Sequence, residues 1–258
     1  MHIVGIDFSI LLNANYYVAI KWGAHEDPAE VIKLLERSIG SLSLSLMPNR
    51  IVMCTDTGPS WRHDYIQGYK AGRPERKDFR DVAKAVTAHF REHYGLVEID
   101  TAEADDIAWC VAKYARSKGY KCTLVSADAD YEQMTLTGAE YYDYRQKRTL
   151  SVDAYRARFD KLMQGCKTDV VPSLLKPRFK RADYDKFYDT YLLETGGKLI
   201  EGQKEYDIIE YLRHDLAFFV DLPCYWDNLY TVTYSKFVYE HTVPDVYEAI
   251  NNSLLNFF

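Results

Sequence analysis

No apolar run in this 258-residue chain approaches the roughly 18 residues that a membrane-spanning helix needs. The opening MHIVGID reads as a strand, with neither the basic region nor the apolar core of a signal peptide ahead of it, so no export is expected. The five cysteines (Cys54, Cys110, Cys122, Cys166 and Cys224) are odd in number and form no CxxC pair. That argues against a zinc site and against a disulfide framework, and for a reducing compartment. The expected location is the cytoplasm, or a host's cytoplasm if the protein comes from a phage. There is no internal repeat and no low-complexity tract.

What is present is an ordinary globular composition, 47% hydrophobic and 27% charged, enough for one large domain or an α/β domain with a smaller helical extension. Aromatics are abundant at 14%, with 22 tyrosines. Most of these are expected in packing, since base stacking needs only a few. The net charge of −6 argues at first against a nucleic-acid partner. Its distribution argues the other way. Residues 61–93 hold eight Lys/Arg against five Asp/Glu, and residues 145–186 hold twelve against five. The acidic excess lies in residues 187–258, with four against twelve. Such basic stretches are compatible with a phosphodiester-cutting enzyme, though a charge run is also what any solvated face carries.

The first 145 residues alternate short apolar runs with helical patterns, which predicts βαβ units and a mainly parallel sheet flanked by helices. Strands are expected at His2–Ile6, Arg50–Thr55, Leu96–Ile99, Lys121–Ser126 and Glu140–Tyr144. Helices are expected at Ala29–Leu42, Asp78–Tyr94 and Ala104–Lys118, the last ended by Gly119. Beyond about residue 150 the strand signal fades. Asp153–Gln164, Arg181–Thr195 and Tyr206–Val220 read as helices, Leu229–Tyr234 is ambiguous, and Pro223 and Pro244 punctuate the tail. The expected organisation is an α/β domain over 1–150 and a helical region over 151–258.

The acidic residues are placed tellingly. Asp7 ends the first strand in GIDFS, Asp56 ends the second in IVMCTDTGPS, and Asp128 and Asp130 follow a third in SADAD. Glu103, Asp105 and Asp106 open a helix in EADD. Ligands of open parallel sheets bind beyond the carboxyl ends of the strands, so these seven carboxylates are expected to share one crevice. Singly, each has a bland explanation as a turn former, a helix cap or a partner of the helix dipole. Together they would repel strongly unless hard cations neutralise them, and Mg²⁺ or Mn²⁺ prefer oxygen ligands. Two such ions about 4 Å apart are suited to phosphodiester hydrolysis. Aspartate-dependent phosphatases also use strand-end Asp, but as a DxD, and here Phe8 and Ser9 follow Asp7.

Four segments, GIDFS, DTGPSWRHDYIQGYKAGR, EADDIA and SADADYEQM, resemble in order and spacing those of the flap-endonuclease and 5′→3′ exonuclease family. That family, of PIN-like fold, includes the 5′-nuclease domain of bacterial DNA polymerase I and bacteriophage ribonuclease H. The resemblance covers about residues 1–145. It implies that Asp7, Asp56, Glu103, Asp105, Asp106, Asp128 and Asp130 hold metal. It implies that Lys70 and Arg73 sit by the scissile phosphate at the base of an arch, that Tyr69 stacks on a nucleotide, and that Arg62 is a basic contact. Lys70 and Arg73 would neutralise charge in the transition state, Arg as a fork and Lys as a point charge. Arg76, Lys77, Arg80 and Lys84 add positive charge to the same stretch, which also reads as an amphipathic helix with a solvated face. Only about thirty residues separate Arg73 from Glu103, so any arch should be short.

The resemblance departs downstream. The family's GDxxDxxPG-like motif, which opens a duplex-gripping helix–three-turn–helix, corresponds to GCKTDVVPS. Asp169 matches its second Asp and joins the implied metal ligands, but Cys166 replaces the first and Ser173 the final Gly. A thiol suits Mg²⁺ poorly. Lys176, Arg178, Lys180 and Arg181 are candidate duplex-phosphate contacts, with little room for the full motif or the K⁺ it would hold. The implied activity is metal-dependent 5′ nuclease action on branched or 5′-ended DNA or RNA–DNA, including primer and flap removal, with Asp105, Lys70 and Arg73 central. A monomer is expected, with replication proteins as partners. Two other readings stay open: a PIN-type ribonuclease, and a structure-specific DNA-binding protein with reduced or lost cleavage.

Overall fold

The structure is a computed structural model that describes residues 1–258 except 67, 75, 172, 174–179, 197–243 and 258. The helix expected at Tyr206–Val220, the ambiguous Leu229–Tyr234, and Lys176, Arg178 and Cys224 lie outside the described residues. The chain divides into two compact units. The first comprises Met1–Ser60, Pro74–Ser151 and Asp245–Phe258; the second comprises Trp61–Arg73 and Val152–Pro244.

The first unit is built on one six-stranded sheet. Its strands are β1 (His2–Asp7), β2 (Arg50–Cys54), β3 (Leu96–Val97), β4 (Lys121–Ser126), β5 (Glu140–Asp143) and β6 (Arg148–Leu150), in the order β3-β2-β1-β4-β5-β6. All neighbours are parallel except the β5–β6 edge pair. The registers Asp7↔Cys54 and Ile6↔Val125 bring the carboxyl ends of β1, β2 and β4 to one level. β1 therefore sits centrally, buried on both faces, which suits its unbroken apolar run.

Helices α1 (Phe8–Lys21), α2 (Pro28–Leu46) and α4 (Lys77–His93) bury Leu11, Leu35, Val86 and Phe90 with Val4, Ile6, Met53 and Val125 of the sheet. Helix α5 (Ala104–Ser117) packs on β1, β2 and β4. Asp27 caps α2, accepting from the Ala29 amide at 2.9 Å, and Pro28 supplies the preset φ of a first helical turn. The sequence pattern does not reveal α1. Its apolar residues surround the helix rather than striping it, and it follows β1 without a loop, because Asp7 both ends the strand and caps the helix. Nor does it reveal the last helix, α8 (Pro244–Phe257), which buries Ile250 and Leu254 one turn apart. Pro244 starts this helix instead of interrupting the chain, since a first-turn residue needs no amide hydrogen bond.

The second unit contains α3 (Arg62–Tyr65), α6 (Ala154–Gln164), a 3₁₀ turn at Lys167–Asp169 and α7 (Arg181–Thr195). Phe159 of α6 is ringed by Tyr184, Phe187, Tyr188 and Tyr191 of α7, with centroids 5.0–5.4 Å away. These tyrosines are core residues, as expected for most of the 22. Arg156 ties the pair together through Asp160 at 2.8 Å and Asp185 at 2.9 Å.

Gly5 is the tight point of β1. A Cβ there would lie 2.8 Å from Leu124 Cδ2 and 3.6 Å from Val111 Cγ1 of α5. Gly5→Val should cost about 1–3 kcal/mol through overpacking and lower the melting temperature by several degrees, with Gly5→Ala milder because Leu124 can shift. An unchanged melting temperature for Gly5→Val would mean that Leu124 of β4 and Val111 of α5 do not close over Gly5 as described.

Candidate functional site

Seven carboxylates of the first unit follow from the sheet's topology. Three parallel strands end side by side, and each end carries an Asp at or just beyond it. Asp7 is buried; Asp56 and Asp128 are exposed. The Asp7 carboxylate accepts from the Ile10 amide at Oδ1 and from the Ser126 hydroxyl at Oδ2, both at 3.0 Å. Ser126 Oγ in turn accepts from the Asp128 amide at 3.1 Å, and Asp128 Oδ1 accepts from the Asp130 amide at 3.0 Å. Asp56 Oδ2 accepts from Ser9 Oγ at 3.0 Å, while its Oδ1 accepts from the Ala104 amide at 2.8 Å. The second bond docks the start of α5 against the end of β2 and brings Glu103, Asp105 and Asp106 to the same edge.

Ser9 and Ser126 lie inside the words GIDFS and SADAD without being marked by them. Their hydroxyls aim two of the carboxylates, and nothing in the one-dimensional pattern marks a serine for that role. Asp106 has a clear local task, its Oδ2 accepting from the Glu103 amide at 2.9 Å as the helix-start half of a capping box. Glu103, Asp105 and Asp130 are buried. The Oδ1 atoms of Asp105 and Asp130 are buried and accept no hydrogen bond, their residues having other interactions elsewhere.

The crowding is electrostatically costly. Burial first, and then the neighbouring Asp56 and, to a smaller extent, Asp128, push the Asp7 carboxyl up from 3.8 to about 7, against the pull of its hydrogen bonds from Ile10 and Ser126. Beneath it, burial together with Asp7, Cys122 and Asp56 holds the Cys54 thiol well above its usual range, so this sulfur stays neutral. Among the described residues no three His, Cys, Asp or Glu side chains are drawn into a ready-made ligand set. A hard ion that keeps several waters needs only one or two direct carboxylates. An all-oxygen donor set, half buried and self-repelling, suits Mg²⁺ or Mn²⁺.

The basic candidates have varied settings. Within the first unit, Arg76 donates to Tyr17 Oη at 2.9 Å and Asn13 Oδ1 at 2.5 Å, stacks over Phe79 at 4.4 Å, and lines with Lys77 a cleft of about 440 Å³. Lys77 and Arg80 are exposed on α4. Within the second unit, Arg73 is half exposed and bonded to buried Asp169, Lys70 is partly buried with its ammonium over the Tyr69 ring at 5.0 Å, and Lys180 and Arg181 are exposed. Arg62 is 0% exposed, with its guanidinium over Trp61 at 4.5 Å. Tyr69 is buried too, its ring against His63 at 5.2 Å. Both lie in a word shared with the family, where side-chain burial cannot be read.

Residues 2–161 match the family described as the 5′-3′ exonuclease, N-terminal resolvase-like domain, and the chain belongs to that family. It is 33% identical over 120 residues to Flap endonuclease Xni of Sodalis glossinidius (strain morsitans), covering 45% of this chain and 48% of that protein. It is 29% identical over 133 residues to Flap endonuclease Xni of Salmonella paratyphi B, covering 50% and 53%. The chain thus spans about half the length of the curated relatives it matches. In fold it resembles the bacteriophage T5 D15 protein co-crystallised with metal ions, at TM-score 0.70 and 16% identity over 99% of both chains. It also resembles the bacteriophage T5 D15 flap endonuclease in a pseudo-enzyme–product complex with DNA and metal ions, at TM-score 0.68 and 14% identity over 99% of this chain and 98% of that one. The expected α/β, mainly parallel, helix-flanked architecture is the one observed. Among the described residues no helix is long and apolar enough to cross a membrane.

The Asp7 environment fixes a pH dependence. Because its folded pKa lies above the unfolded one, folding favours the protonated acid. That contribution is complete below about pH 3.8 and is lost as the pH rises through about 7. At about 1.4 kcal/mol per pKa unit, the loss amounts to a few kcal/mol. In chelator, thermal melts should therefore place Asp7→Asn above the parent chain at pH 8 and close to it at pH 4, and millimolar Mg²⁺ should narrow the gap at pH 8. A gap independent of pH would show that burial and the neighbouring carboxylates do not hold the Asp7 carboxyl up.

Proposed function

We propose that the protein is a divalent-metal-dependent 5′ nuclease that hydrolyses phosphodiesters in branched or 5′-ended DNA or RNA–DNA. The observation that carries this reading is the meeting of β1, β2 and β4 ends with the start of α5, which gathers carboxylates at the edge where open parallel sheets bind ligands. Family membership supports the reaction class. Asp7, Asp56, Glu103, Asp105, Asp128 and Asp130 are the residues that would hold the ions, Mg²⁺ or Mn²⁺ and two in number by resemblance to the family. When bound, the ions would supply Lewis acidity to the attacking water and the phosphodiester oxygens.

The chain's own residues do the rest. Ser126 and Ser9 orient Asp7 and Asp56, and the Ala104 amide fixes the second oxygen of Asp56. By resemblance to the family, Lys70 and Arg73 would supply cationic donors for phosphate oxygens as charge builds in the transition state. Water adds to phosphorus while one P–O ester bond breaks. Lys77, Arg80, Lys180 and Arg181 are exposed cations suited to backbone contacts whose strength falls with salt. The setting would be a cytoplasm, with removal of RNA primers or 5′ flaps as the use. A binding module with weak cleavage is the second reading, favoured by the thiol of Cys166 where the family carries an Asp and by the engagement of Asp169 with Arg73.

A 5′-labelled flap substrate tests this in Mg²⁺ and in Mn²⁺. Cleavage should vanish in chelator and in Asp105→Asn, and Lys70→Ala should lower kcat by about 10²-fold or more with an unchanged melt. Tight binding of the flap with no cutting in either metal would favour the binding module, and single-stranded RNA as the sole substrate would favour a PIN-type ribonuclease.

A further inference from the structure

The family resemblance implies Asp169 as a metal ligand, yet its two oxygens have other partners in the second unit. Oδ1 accepts from Arg73 Nη2 at 2.5 Å, and Oδ2 lies 3.5 Å from the Cys166 thiol, which can donate to it. The sulfur also lies 3.1 Å from Thr168 Oγ1. The carboxylate is buried, with 5% of the side chain exposed, whereas the Arg73 side chain is 52% exposed. A buried anion thus holds the Nη2 end of a guanidinium whose side chain is half exposed.

The backbone repeats the tie. The Lys70 amide points to the Asp169 carbonyl at 3.5 Å, and the Arg73 amide donates to the Lys70 carbonyl at 3.1 Å. Lys70 has φ of 57° and Val170 φ of 63°, left-handed values that non-glycine residues seldom adopt. Paired amide bonds between Cys166 and Val171, at 3.0 and 2.8 Å, close the turn that presents Asp169. Residue 169 therefore grips the Lys70–Arg73 turn with its side chain and its main chain together.

We propose that Asp169 is a positioning residue for Arg73 and not a ligand of a second metal ion, so that the GCKTD turn serves as a clamp on the phosphate-contacting turn. This deepens the nuclease reading and rests on it for the role of Arg73. The chemistry is consistent. A charge-assisted bond from a carboxylate fixes the direction of a planar guanidinium, which a phosphate contact requires. A hard cation would have to displace Arg73 from Oδ1 and would meet a soft sulfur beside Oδ2. An Asp in place of Cys166 would set a second anion there; a thiol instead donates to the first.

Three measurements test the assignment. The number of Mn²⁺ ions bound per chain, read by electron paramagnetic resonance without turnover, should be the same in Asp169→Asn as in the parent; one ion fewer would overturn the proposal. The Arg73 Nε–Hε resonance should move and sharpen in Asp169→Asn as the guanidinium is released; an unshifted resonance would also overturn it. In flap cleavage, Asp169→Ala should lower kcat by about tenfold or more in the parent but by less than about threefold in Arg73→Ala, as for two residues acting as one unit. Equal losses in both backgrounds would mean that Asp169 acts independently of Arg73. If Asp169→Asn does not fold, Arg73→Gln decides: it should bind no additional Mn²⁺, whereas a newly gained ion would identify Asp169 as a ligand held in check. The first two readouts stand even if the parent chain cuts nothing, in which case the nuclease reading fails alone.

Discussion

Mutual repulsion among carboxylates at the carboxyl edge of β1, β2 and β4 is the constraint around which the first unit is arranged. A parallel sheet with β1 at its centre brings three chain segments to the same level, and each delivers an Asp there. Folding alone would favour removing those charges. The protein instead holds them with donors, using the Ser126 and Ser9 hydroxyls and the Ile10 and Ala104 amides. These four donors offset only part of the cost, and the Asp7 carboxyl remains well above its ordinary range. A site that is strained when empty of charge partners is one in which cation binding is linked to stability.

The second unit meets its electrostatic needs differently. Its arginines come with built-in counter-ions: Arg156 with Asp160 and Asp185, and Arg73 with Asp169. Arg62 lies wholly inside, against Trp61. Cations fixed in this way are oriented rather than free. An acid holding a basic side chain links α6 to α7 through partly exposed Asp160 and Asp185, and at the Lys70–Arg73 turn the acid, Asp169, is buried.

Much of this was legible in the residues, and the limits have physical causes. Strong β-branched runs such as HIVGI and KCTLVS gave the strands, and EADDIA gave the start of α5, because local pattern and tertiary role agree there. The first helix is not legible because its exposed face carries apolar residues too, Tyr17 and Ile20, which hides the buried stripe of Phe8, Leu11, Leu12, Tyr16 and Ala19. The helix at Pro244–Phe257 is hidden because its proline reads as a breaker until its first-turn position is known. The carboxylates could be expected at one edge from their places at strand ends and a helix start. What could not be read was orientation: that Asp106 turns back on its own helix, that Arg62 and Tyr69 point inward, and that Asp169 bonds to an arginine ninety-six positions earlier. Sequence words specify residue types at an edge; side-chain direction depends on partners far along the chain.

Everything in the hydrolytic account depends on hard cations settling among those strand-end carboxylates. Anomalous diffraction from crystals soaked in Mn²⁺ tests this most directly. The account predicts manganese beyond the ends of β1, β2 and β4, coordinated by oxygens of Asp7, Asp56, Asp105 or Asp128. Saturating Mn²⁺ with no anomalous peak at that edge, and those four side chains turned away from one another, would contradict it.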